Sequence, residues 1–329
     1  MAIPPSRPPH GPHLTTWGKA GTDSRSDARI FPLAEVARRI HGPGRSPLLQ
    51  QSPFGFSGTL ASGASVILEA RPLDRLLPHR RRLVEEVRVR YRFSGLQRLS
   101  AWEVPDINQL SCLGGLVRVE EGEGLEFVAK VGLFEGDEAS ARRVYAPLMA
   151  RSMVAADWIV RCLAEGIRWV DPARSPFRHA HEPSPLLERD LRSAQEWILE
   201  PRGWFGVRDS WGLTAEYPWD PRGGTCLLWV RQDTHPFLGN GVLATLEVPL
   251  PLAGEEPTAL MEELNGWEME TPELPPYFGA WMPGRQAPSF GTFIPNELCV
   301  TGIAQHLSAW AVVRARELRL WMGTGAPVH

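Results

Sequence analysis

The chain has 329 residues, 43% of them hydrophobic and 22% charged, which is enough for two globular cores and excludes wholesale disorder. A net charge of −3 argues against bulk electrostatic binding to nucleic acid or anionic membranes, which needs a concentrated positive surface. Of the 35 basic residues only Lys19 and Lys130 are lysine, a bias that points to high-GC bacterial coding rather than to arginine chosen for anions.

Residues 1–28 mix proline, glycine, serine and threonine with few apolar side chains. They are expected to be a disordered leader, and they lack the apolar stretch of a secretory signal. No run is long and apolar enough for a membrane helix, so a cytoplasmic protein is expected. A first α+β domain is expected over 29–165. It opens with a helix whose inward face is Ile30, Leu33, Val36, Ala37 and Ile40, stopped by His41-Gly42-Pro43-Gly44.

Strands are expected near Phe54–Leu60 and over Ser65–Leu73 and Leu83–Phe93. In the last, Val87, Val89, Tyr91 and Phe93 alternate with Arg88, Arg90 and Arg92, a period of two with one dry and one charged face. A short helix within Ser100–Leu110 precedes a hairpin of Leu116–Glu120 and Leu125–Leu133. Ala139–Ala164 then places Val144, Leu148, Met149, Met153, Ala156, Ile159, Val160 and Leu163 on one helical face.

A proline-rich linker is expected over 166–185, a second α+β domain over 186–322 and a tail over 323–329. The second domain reads as a helix from Leu186 to Leu199, then three strands near Trp204–Trp219, Thr225–Arg231 and Gly241–Leu250. A helix from Glu255 to Met269 follows, then a hairpin of Phe278–Met282 and Phe290–Pro295. The closing helix, Ile303–Met322, turns Ile303, Leu307, Trp310 and Val313 inward. The first half is compatible with the same order, and Asn108 falls where Asn265 falls. The fold class expected is α+β: two tandem α/β sandwich units, each an antiparallel sheet packed by helices, related by a pseudo-two-fold.

That order resembles type III secretion chaperones and the YbjN-like proteins related to them, most closely over 186–322. Several segments also resemble an uncharacterised bacterial family: Thr214-Ala215-Glu216-Tyr217-Pro218, His235-Pro236-Phe237-Leu238-Gly239-Asn240-Gly241, Leu264-Asn265-Gly266-Trp267-Glu268, Phe278-Gly279-Ala280-Trp281 and Phe290-Gly291-Thr292-Phe293-Ile294-Pro295-Asn296. The resemblance implies a small sandwich that holds segments of client proteins, here as a monomer containing an internal pseudo-dimer. This chain departs from the chaperones in being long and nearly neutral.

Candidate chemistry is sparse. Cys112, Cys162, Cys226 and Cys299 have neither zinc-knuckle nor CxxC spacing and are expected to be free thiols. His179-Ala180-His181-Glu182 could ligate a metal but falls in the linker, so no metal and no cofactor are expected. No Walker A loop or nucleophile elbow occurs. Asp106, Glu126 and Lys130 only loosely match a nuclease triad. His235, Asn240 and Glu216 are the candidates for a small-ligand or catalytic site; the bland alternative for His235-to-Gly241 is a strand turn. Arg80, Arg81, Arg82, Arg88, Arg90 and Arg92 could bind anions, or could pair with acidic neighbours such as Glu85 and Glu86. Among 13 tryptophans, Trp211, Trp219 and Trp281 are candidate protein-binding anchors, set against a core role for each. The expectation is a non-enzymatic, chaperone-like module with a protein partner or client. The alternatives are a ligand or enzyme site near His235 and a weak nucleic-acid binder acting through Arg80–Arg92.

Overall fold

The computed structural model describes residues 30–41, 49–60, 62–77, 81–93, 99, 103–111, 113–119, 124–165, 186–219, 224–235, 238–250, 257–284 and 287–321. The leader, the 166–185 linker with its His179 cluster, the tail and Arg80 lie outside the described residues.

The first half runs α1 (Leu33–His41), β1 (Leu49–Ser52), β2 (Gly55–Thr59), β3 (Ser65–Leu76), β4 (Arg82–Arg92), α2 (Glu103–Ser111), β5 (Gly115–Val119) and β6 (Gly124–Phe134). It closes with the turn α3 (Glu138–Ser140), a wide π turn (Ala141–Tyr145) and the long helix α4 (Ala146–Glu165). The second half runs α5 (Glu188–Ser193) with its π and 3-10 extensions to Arg202, then β7 (Phe205–Arg208), β8 (Gly212–Pro218), β9 (Thr225–His235) and β10 (Gly239–Glu247). After these come α6 (Pro257–Glu270), β11 (Gly279–Pro283), β12 (Pro288–Pro295) and α7 (Ile303–Trp321).

Both sheets are six-stranded and antiparallel, and their orders coincide: β1-β2-β3-β4-β6-β5 and β7-β8-β9-β10-β12-β11. Each half is therefore one helix, four strands, one helix, two strands and one helix. The three-strand expectation for the second half needs correction. What reads as one strand from Trp204 to Trp219 is a tight hairpin, because Asp209 Oδ1 accepts the Trp211 and Gly212 N–H groups (2.7 and 2.9 Å) and folds the chain back. The added strand in the first half is β1, whose Leu49-Gln50-Gln51-Ser52 carries little strand propensity and forms by pairing with β2.

The helices dry one face of each sheet. Val87, Val89 and Tyr91 of β4 are wholly buried, as their alternation predicts, with Leu148, Met149 and Ile159 of α4 in the same core. Glu85 Oε2 accepts the Phe31 N–H (2.9 Å) and ties the approach to α1 to β4. In the second half α7 covers Leu228, Leu246 and Phe290. Of its expected inward face Ile303, Leu307 and Trp310 are buried, and one position differs. Val313 is half-buried, and Arg314 takes the core position with its guanidinium 3.7 Å from the Phe290 ring centre.

Candidate functional site

The seam between the halves is built from equivalent parts. Asn108 on α2 donates through Nδ2 to the Leu116 carbonyl (3.3 Å) and accepts the Leu116 N–H (2.7 Å). Asn265 on α6 donates to the Trp281 carbonyl (3.1 Å) and accepts the Trp281 N–H (2.8 Å). Each asparagine thus holds the strand that follows its helix by a backbone-mimicking pair. The equivalence continues across the seam. A side chain at Gly115 would put its Cβ 2.8 Å from that of Ala280, its equivalent in β11, and against Tyr277 Oη. β11 packs on α2 and β5 packs on α6, the reciprocal arrangement of a two-fold interface.

One departure from the two-fold matters. Asn108 and Leu116 are 8 residues apart, whereas Asn265 and Trp281 are 16 apart. The extra chain after α6 lies on the far face of the first sheet. Tyr277 pairs with Lys130 through both backbone bonds (2.8 and 3.2 Å), extending the sheet edge beyond β5. Lys130 Nζ donates to the Thr271 carbonyl (2.8 Å) and to that of Glu268, and Arg88 donates to the Met269 carbonyl (2.8 Å). Two cations therefore cap the carboxyl end of α6, where carbonyls lack helical partners. Burial pulls the Lys130 ammonium down to about 8, against an opposing pull from Glu86. Glu268 is fully buried and bonds Arg314, the Trp281 indole N–H and, through its backbone, Lys130.

The residues singled out from sequence disperse. Arg82 pairs with Asp74 (2.8 Å), Arg81 with Asp137 (3.2 Å), Arg88 with Glu86 (2.7 Å), Arg90 with Glu69 (3.1 Å) and Arg92 with Glu126. Pairing with acidic neighbours describes these arginines, although Glu85 turns to α1 instead. Glu126 and Lys130 share the outer face of β6, but each is engaged by other groups, and the Asp106 side chain lies outside the description.

His235 is buried. Its Nδ1 accepts the Leu238 N–H (3.0 Å), and its ring meets Trp158 of α4 edge-on (5.6 Å) and lies 5.3 Å from Phe293. The positive φ of the turn falls on Gly239 (77°), while Asn240 is a strand residue whose Oδ1 accepts from the Thr234 hydroxyl (2.8 Å). Glu216 faces Leu227 near the start of β9, roughly 26 Å from His235 at the strand's end. The three are not one constellation. Cys226 and Cys299 are free, and burial pushes the Cys299 thiol up to about 12. No grouping of histidine, cysteine and carboxylate among the described residues could hold a metal. A cavity of about 20 Å³ beneath α7, lined by Leu228, Phe290, Thr292, Trp310 and Arg314, has room for about one water rather than an organic ligand.

Trp281 and Trp219 are buried, so in this structure they serve the core. Trp211 is 67% exposed. Phe205 (70%) and Val207 (72%) are exposed on β7 of the same hairpin, and Trp197 (72%) is exposed on the preceding π turn. Phe205, Val207 and Trp197 were not singled out from sequence. For Phe205 and Val207 the signal was an apolar alternation in the edge strand, hidden by reading β7 and β8 as one. No helix among the described residues is long and apolar enough to cross a membrane. No protein-family profile, curated protein or solved structure matches this chain.

Proposed function

We propose that the protein is a non-enzymatic protein-binding module, built as an internal pseudo-dimer and chaperone-like in holding a partner or client. The observation that carries this reading is the set of exposed apolar side chains Phe205, Val207 and Trp211 on the β7–β8 edge hairpin. Exposed aromatics grouped on one edge are what a protein interface uses, because each desolvates a large area at small entropic cost. The titratable residues that could have done chemistry have structural partners: Glu268 with Arg314, Lys130 with the end of α6, His235 with the Leu238 amide.

Affinity purification of the full chain from its source cell, followed by mass spectrometry, tests this. A stoichiometric protein partner that is lost from a Trp211→Ser, Phe205→Ser chain is the expected result. Recovery of no partner from either chain contradicts the proposal.

A further inference from the structure

The two sheets act as controls for one another. With Leu116 equivalent to Trp281 through the asparagine bonds, the strand registers carry the equivalence residue by residue across both ladders. The helix-facing row Gly58, Val66, Tyr91, Phe127 corresponds to Ala215, Leu228, Leu246, Phe290. These rows agree in character, and most of their members are buried against helices.

The opposite, outward faces do not agree. In the first sheet one outward row reads Gln50, Ser57, Ile67, Arg90. Its equivalent in the second sheet reads Val207, Thr214, Trp229, Thr245. The next row is Thr59, Ser65, Arg92 in the first sheet and Glu216, Leu227, Glu247 in the second, extended at the edge by Phe205 opposite Glu216. Gln50, Ser65, Arg90 and Arg92 in the first sheet thus stand where the second has Val207, Leu227, Thr245 and Glu247. The equivalence marks two polar-to-apolar changes on this face, at Val207 and Leu227; Trp229 keeps the apolar character of Ile67, and the 70% exposed Phe205 extends the patch at the edge. The basic charges of the first sheet are spent on Glu69 and Glu126. Glu216 and Glu247, in contrast, have no ion-pair partner among the described residues, and both stand opposite Leu227 in the strand register.

We infer that the outward face of β7–β9 is the docking surface, and that its occupant is an apolar, basic polypeptide segment of another protein. This inference rests on the protein-binding reading and adds to it a surface and the chemistry of its partner. The segment's apolar side chains cover Phe205, Val207, Leu227 and Trp229, and its lysine or arginine meets Glu216 and Glu247. The acidic pair disfavours nucleic acid and anionic lipid at this face.

The test uses the full chain and two sets of synthetic twelve-residue peptides, one alternating apolar residues with Lys or Arg and one alternating the same apolar residues with Glu. Binding is read by fluorescence anisotropy at 50 and 300 mM salt. The basic set is expected to bind at least tenfold tighter than the acidic set, less so at high salt. Glu216→Gln with Glu247→Gln should remove most of that preference, and Val207→Ser with Phe205→Ser should weaken binding of the basic set. All four side chains are on the surface or at its rim, so circular dichroism should show these variants folded. Equal binding of the two sets, or binding indifferent to both double variants, overturns the assignment. So does a concentration-dependent self-association abolished by Val207→Ser, which would make a second copy the occupant. A cellular partner captured equally well by wild type and both variants sinks this surface while leaving the protein-binding reading intact; absence of any partner sinks both.

Discussion

Asn108 and Asn265 make the same two backbone hydrogen bonds, one to Leu116 and one to Trp281, on opposite sides of the seam. Both are buried, so replacing either with alanine strands an N–H and a C=O without water. Each change is expected to cost about 2–4 kcal/mol in denaturant unfolding. Asn265→Ala should cost more, because Asn265 Oδ1 also accepts the Tyr277 hydroxyl (2.8 Å). If both variants unfold at the wild-type midpoint, the shared motif is not what holds β5 and β11.

Gly115 and Ala280 meet where the two halves cross. Gly115→Ala should destabilise by about 1–3 kcal/mol, since its Cβ would lie 2.8 Å from that of Ala280 with Tyr277 Oη also in the way. Adding Ala280→Gly should recover part of the loss. No recovery in thermal unfolding would mean the clash is with Tyr277 alone.

Glu268 and Arg314 form a fully buried pair, joined to Trp281 and Lys130. Glu268→Leu leaves a guanidinium without its carboxylate and is expected to cost about 3–5 kcal/mol. The Glu268→Leu, Arg314→Met double variant should be closer to wild type than either single change. A double-mutant cycle with no coupling would rule out their acting as a pair.

Lys130 titrates near 8 in the folded chain, below its ordinary value of 10.5, chiefly because burial disfavours its charge. Between those values the unfolded chain holds the extra proton, so this residue makes stability rise with pH across the window 8 to 10.5, by up to about 3 kcal/mol. Burial raises Tyr91, Tyr145 and Tyr277, and these oppose the rise above pH 10, where the unfolded phenols ionise. The measurement is therefore the difference between wild type and Lys130→Met. That difference should move in favour of wild type from pH 8 to pH 10, and a flat difference would place the ammonium in contact with water.

Periodicity made the regular elements legible before any coordinates. The alternation over Val87–Arg92 located β4, and the three-and-four spacing of Val144 to Leu163 located α4 with its buried face. What escaped was decided by single contacts. The Asp209 carboxylate cuts one apparent strand into β7 and β8 at Asp209-Ser210-Trp211-Gly212, a local turn signature masked by the apolar residues on either side. Arg314 takes a core position of α7 ahead of Val313 through its buried pair with Glu268, a partner 46 residues away that no local pattern signals. Asn108 and Asn265 were placed in correspondence by order alone, while their hydrogen bonds depend on strands that arrive 8 and 16 residues later. His235 is a polar residue beside a glycine-rich turn, and its ring packs against Trp158 in the first half of the chain, a contact with no local sequence signal.

The reciprocal seam requires the halves to fold as one unit, with β5 and β11 protected together. Native-state hydrogen exchange followed by mass spectrometry measures this directly in wild type and in Asn265→Ala. The account predicts that peptides containing Leu116 and Trp281 exchange with the same opening free energy, and that Asn265→Ala lowers protection in both, although it alters only the second half. If Asn265→Ala loosens β11 and leaves Leu116 as protected as in wild type, the halves are independent domains and the internal dimer is contradicted.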